Sequence, residues 1–264
     1  MKFFADNWIM AKRQYAHMLA QPDEIAGTLL FPILMVVLFA YVFGSAIKLP
    51  GNADYREFLM PGIFMQVTAM SATVAAAEAA EDKVKGIIDR FKSMPITRSS
   101  VLLGRSLADL TLRMFGLSVM VLCGVVLAGW RIHHGVADAA AAFGLLALFG
   151  FAMMWIGTTI GLSVSSASVA DAATFGWLFP LTFLANTFVP TQGMPGWLRP
   201  IADWNPMSAT VAAIRGLFGN PTATSGPVAW PLRHPIGMSL GWSLLILAVF
   251  IPLAVRRYRA ANSR

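Results

Sequence analysis

The chain has 264 residues, 57% of them hydrophobic and only 12% charged, with a formal net charge of +7. A soluble domain carries about 25% charged residues, so this composition excludes an ordinary soluble globule and predicts an all-α integral membrane protein in the lipid bilayer. The basic residues gather at the ends of apolar runs rather than in one patch, which is a topology signal and not a nucleic-acid footprint.

Phe4, Trp8, Ala11, Tyr15 and Met18 repeat at helical spacing, with Lys12 and Arg13 on the other side. Residues 1–21 therefore read as an amphipathic helix lying along the membrane surface. Their charges leave no uninterrupted apolar core, so no cleavable signal peptide is expected. Pro22 ends this helix, and a first span is placed at 24–44, where the uncharged run is long enough for the ~30 Å hydrocarbon layer. Lys48, Pro50, Gly51, Asp54 and Arg56 make a short polar loop. The second span is placed at 58–80.

Between Glu81 and Arg105 the charge density rises sharply. Val84, Ile87, Ile88 and Phe91 recur at i, i+3, i+4, i+7, while Lys83, Lys85, Asp89, Arg90 and Lys92 point elsewhere. The pattern is a short amphipathic helix over 82–94, stopped by Pro95. On the residues alone it is either an ordinary basic loop or a docking element. The third span, 101–130, carries Arg105, Asp109 and Arg113 four residues apart on one face, where Asp109 can pair with either arginine. Cys123 is the single cysteine. It allows neither an intrachain disulfide nor a thiol metal site.

His133 and His134 are adjacent and lack further ligands nearby, so no metal site is expected. The fourth span, 139–163, contains Gly157 and Gly161, with Ser165 following at the same spacing; small residues in this pattern let helices approach closely. The fifth span is placed at 172–190. The segment 191–219 then holds Pro195, Pro200 and Pro206 with Trp197 and Trp204. No continuous transmembrane helix survives that proline density. The reading is helix, break, helix, dipping into the outer leaflet, with Asn205 or Ser208 as a cap and Val211, Ile214 and Phe218 on one face. Residues 220–234 read as a flexible exterior loop, and 235–255 as the sixth span, followed by Arg256, Arg257 and Arg259.

With six spans, the basic residues fall mostly on the side of the termini, against Lys48, Arg56, Arg131, Arg199, Arg215 and Arg233 on the other, so both termini and the 82–94 helix are expected in the cytoplasm and 191–219 outside. The chain has no G-x-x-x-x-G-K-[ST] loop and no H-E-x-x-H, so it is not expected to be an enzyme. Gly237, Ser239 and Gly241 form a G-x-S-x-G match, but it opens an apolar span rather than a strand-to-helix turn. The middles of spans one, two, four, five and six lack ionisable groups, unlike a proton-coupled carrier. Aromatic and Met side chains abound in spans one, two and five: Phe31, Phe39, Phe43, Met60, Phe64, Met65, Phe175, Phe179 and Phe183. Such adaptable apolar groups suit the path of a hydrophobic or amphipathic cargo.

The surface helix, the inner stretch GIIDRFKSMPITRSSVLLGR and the outer stretch FVPTQGMPGWLRPIADWNPMSATVAAIRGL together resemble the membrane subunit of ABC type-2 transporters, in particular the daunorubicin-resistance permease family. The resemblance covers nearly the whole chain. It implies a permease homodimer of six-span subunits that exports drugs, antibiotics or lipids with two copies of a separate ATPase subunit, which holds the ATP and magnesium. It also implies that 1–21 is a connecting helix, 82–94 a coupling helix and 191–219 a pair of re-entrant helices. ATPase contacts are accordingly expected at Gly86, Ile87, Arg90, Phe91 and Met94, supported by Trp8 and Lys12. An outer gate is expected at Met194, Pro195, Trp197, Trp204, Asn205 and Pro206. A glycan exporter of the same architecture, or a non-transporting membrane enzyme or anchor, are the alternative readings.

Overall fold

A computed structural model describes residues 30, 33–43, 49, 54–86, 98–222 and 228–260. The expected connecting helix, most of the coupling helix and Phe31 lie outside them, as does the side chain of Phe43. Among the described residues the regular structure is entirely helical. Helix α1 is Ile33–Val42, turning π-helical over Leu38–Phe43. It is followed by α2 (Tyr55–Ala69), α3 (Ser71–Val84), α4 (Arg98–Leu127), α5 (Val136–Gly161), α6 (Ala167–Phe183), α7 (Arg199–Asp203), α8 (Pro206–Phe218), α9 (Trp230–Arg233) and α10 (Pro235–Ala260).

Among the described residues, three helical stretches are long and apolar enough to cross a membrane: Tyr55–Val84, Val136–Gly161 and Pro235–Tyr258. The first joins α2 to α3 through Met70, where the Thr73 amide bonds the Met70 carbonyl. Helix α5 is apolar on every side, and packs against α2, α3, α4, α6, α8 and α10. A helix without a polar face belongs at the centre of such an assembly.

Small residues set how closely α5 sits on its neighbours. A Cβ added to Gly157 would fall on the Ala72 carbonyl oxygen, and one added to Gly161 on that of Ala76. The expected small-residue stripe is therefore a line of backbone contact between α3 and α5. Ser165 is not on it, because α5 has already ended at Gly161. At that end the Lys83 ammonium donates to the carbonyls of Leu162 (3.2 Å) and Val164 (2.9 Å). These are groups a helix terminus leaves without internal partners. Helices α3, α5 and α10 run the same way, since α10 starts beside Arg215 and ends with Tyr258 packed near Leu162.

Candidate functional site

The distinctive part of the molecule is the stretch from Leu184 to Asn220, between α6 and the approach to α10. Its second helix, α8, has clear sequence causes. Asn205 caps its start by accepting from the Met207 amide (2.8 Å), Pro206 occupies the first turn, and Gly219 ends it at φ 75°. Each is the residue type that favours its position. Val211, Ile214 and Phe218 are buried, as their common face predicts. Helix α8 is enclosed by α2, α5 and α10.

Before that helix the backbone is not regular, and its carbonyls need donors. Arg215 supplies donors to two of them and to one carbonyl of α2. Its Nη1 donates to the Asn186 carbonyl (2.8 Å), its Nη2 to that of Thr187 (2.9 Å) and its Nε to that of Phe58 (2.8 Å). The Tyr55 hydroxyl donates to the next carbonyl, Phe188 (3.0 Å). The guanidinium is completely buried and lies 3.5 Å above the Phe58 ring. Gly62 lets this segment approach α2, because a Cβ there would fall on the Thr187 carbonyl oxygen.

The insert is tied at both ends. Asn205 Nδ2 donates to the Leu181 carbonyl (2.7 Å), and the Asn186 amide to Ser208 Oγ (3.0 Å). Thr191 donates to Asp203 (2.7 Å), joining the 3-10 turn to α7. At the far end, the His133 amide donates to the Phe218 carbonyl (2.8 Å) and Trp130 Nε1 to Asn220 Oδ1 (2.9 Å). His133 also contacts Glu57 at 2.8 Å. The two histidines thus belong to a structural junction, and the described residues hold no group of three or more metal-ligating side chains. The loop expected at 220–234 is anchored at Asn220 and contains α9.

The expected site residues separate into distinct places. Met60, Phe64 and Met65 are fully buried within the bundle; Phe64 sits edge-on to Trp130 at 5.0 Å. By contrast, Phe175, Phe179 and Phe183 lie half-exposed along α6, with successive ring centroids 5.3 and 4.5 Å apart. Phe188 extends this strip from Phe183 (5.3 Å) to Phe39 on α1 (4.5 Å). Of the outer residues, Asn205 is buried as a cap while Trp197 and Trp204 are exposed. Gly86 has φ 67°, so the span helix ends there. Residues 82–86 of the expected coupling helix are the tail and terminator of α3; Ile87, Arg90, Phe91 and Met94 lie outside the described residues, as do Trp8 and Lys12.

Sequence reasoning counted Arg215 only as an outside charge. The signal was its position: it stands four residues after Val211 and three before Phe218, on the apolar face of α8. An arginine on such a face must have buried partners.

A model of the ABC-2 type transporter family matches residues 6–218. This chain belongs to that family. The ABC-2 chain is 31% identical over 242 residues to a daunorubicin resistance ABC transporter permease protein of Streptomyces coeruleorubidus, covering 92% of this chain and 82% of that one. It is 25% identical over 261 residues to a doxorubicin resistance ABC transporter permease protein of Mycobacterium tuberculosis, covering 95% and 88%. The family is one of transport permeases, and the three long apolar helices of this ABC-2 chain accord with a membrane protein.

Proposed function

We propose that this chain is the permease subunit of an ATP-driven exporter of hydrophobic or amphipathic compounds. It works as a homodimer of six-span subunits in the plasma membrane, with both termini cytoplasmic. ATP and magnesium are held by two copies of a separate ATPase. The observation that carries this reading is the similarity to a drug-resistance permease along 92% of the chain.

The exposed phenylalanine strip gives the cargo a surface. Phe175, Phe179 and Phe183 offer an exposed aromatic face on α6, continued inward by the buried rings of Phe188 and Phe39. Apolar and aromatic lining is what a lipophilic compound requires. Met60, Phe64 and Met65 contribute to packing instead, and Trp197 and Trp204, with Met194, Pro195 and Pro206 around them, edge the outer gate held by Asn205. The ATPase contact is assigned to Gly86, Ile87, Arg90, Phe91 and Met94, with Trp8 and Lys12 in support; an amphipathic helix transmits force when its apolar face is buried in a partner groove.

The test is co-expression with an ABC ATPase encoded beside this chain, then reconstitution into vesicles. Copurification and ATP-dependent movement of a lipophilic cation or lipid are expected. Arg90→Glu and Phe91→Ala should each abolish both association and transport. If wild type neither binds the ATPase nor moves any such compound, the exporter reading fails; if both variants retain full activity, the coupling assignment alone fails.

A further inference from the structure

A cavity of about 360 Å³ opens between α8, α9 and the start of α10. Three sources of positive potential meet around it. Arg215 lies in its wall, and among the described residues its guanidinium bonds only to the Asn186 side chain and backbone carbonyls, with no carboxylate. Carbonyl dipoles satisfy its donors but leave its full charge in place, in surroundings of low dielectric. Arg233 also lines it; its Nε donates to the Val228 carbonyl (2.8 Å), leaving the terminal nitrogens of this exposed side chain as donors. Pro235 in the wall is the first residue of α10, so the positive end of a 26-residue helix faces the same space.

None of the lining residues is acidic. Asn186 accepts from Arg215 through its amide oxygen, which leaves its NH2 group as a further donor. Apart from Thr222 the rest of the wall is apolar, including Ala212 and Leu232. Trp230 beside it is exposed, with its ring tilted against that of His234 at 5.3 Å. Tryptophan favours the headgroup depth of a bilayer.

We propose that this cavity binds the phosphate group of an anionic amphiphile, with Arg233 and Asn186 as direct donors and Arg215 and the α10 terminus supplying the field. Its volume is near the lower end of ligand cavities, about 300–1,000 Å³, which suits a phosphate with its glycerol and not a whole drug. The site is separate from the phenylalanine strip and does not depend on the cargo.

Short-chain phosphatidylglycerol, short-chain phosphatidylcholine and inorganic phosphate are the probes, each titrated into the full chain purified in neutral detergent and followed by native mass spectrometry. Phosphatidylglycerol should bind at least about ten-fold more tightly than phosphatidylcholine. Arg233→Gln should remove that preference. Gly216→Trp should fill the cavity and do the same, since Gly216 lines it and nothing lies within 4 Å of a Cβ there. If inorganic phosphate displaces the lipid completely, the site serves a soluble anion; if it does not, the site is for a lipid headgroup, and either result upholds an anion site. Equal binding of the two lipids by wild type, or an unchanged preference in both variants, overturns it.

Discussion

Arg215 shows how one side chain makes an irregular buried segment possible. Replacing it with Met would leave the carbonyls of Asn186 and Thr187 without the donors it supplies, each at about 1–3 kcal/mol. The expected result for Arg215→Met is a loss of at least about 2 kcal/mol, seen as a large drop in thermal midpoint in detergent. Arg215→Lys keeps the charge but offers a point donor in place of a planar fork, and should fall between Met and wild type. Arg256→Gln, at an exposed position, is the control and should leave the midpoint unchanged. A charge tally sees Arg256 and Arg215 alike, which is why the sequence assigned Arg215 a side of the membrane and not a task. The helical spacing from Val211 to Phe218 was the better guide.

Among the helices, the α3–α5 contact depends on the absence of side chains. At Gly157 and Gly161 a Cβ would strike a carbonyl oxygen on α3, whereas at Gly144 it would meet nothing within 4 Å. Gly157→Val should push the helices apart, costing about 1–3 kcal/mol beyond any gain in helix propensity. Gly144→Ala should gain up to about 1 kcal/mol. Folded yield by size-exclusion chromatography in detergent separates the two; equal yields would refute the close contact. The four-residue spacing made Gly157 and Gly161 legible in advance. It misassigned Ser165 because the spacing carries no stop signal, and α5 ends where Lys83, from another helix, takes up the next carbonyls. Gly86 is a comparable boundary: hydrophobic periodicity ran from Val84 through Phe91, while the positive φ at Gly86 divides that run.

For the whole molecule, the apolar residues of the membrane stretches divide by what they face. Phe64→Ala should destabilise by about 3–5 kcal/mol, because Phe64 is enclosed by Trp130 and Phe218. Phe179→Ala should leave stability nearly unchanged and lower transport or shift its cargo preference, since Phe179 is exposed on the strip. Melting curves and vesicle uptake on the same two variants decide this, and a stable Phe64→Ala with lost transport would reverse the assignment. Composition and apolar run length were enough to predict a helical membrane protein and the helices at Tyr55–Val84, Val136–Gly161 and Pro235–Tyr258. They could not tell Phe64 from Phe179, as both are phenylalanines in apolar runs and their difference arises only when distant segments meet.

The family match stops at residue 218, but the packing does not. Helix α10 lies against both α5 and α8, and the hydroxyls of Thr210 and Ser239 meet at 2.9 Å. During synthesis α8 emerges before α10 exists. Until Pro235 and the residues after it are in place, the side of α8 that α10 covers is open and Thr210 lacks its Ser239 partner. The insert therefore reaches its final seat only after the last helix has arrived, and a chain cut before residue 235 would lose the order of the insert well upstream of the cut.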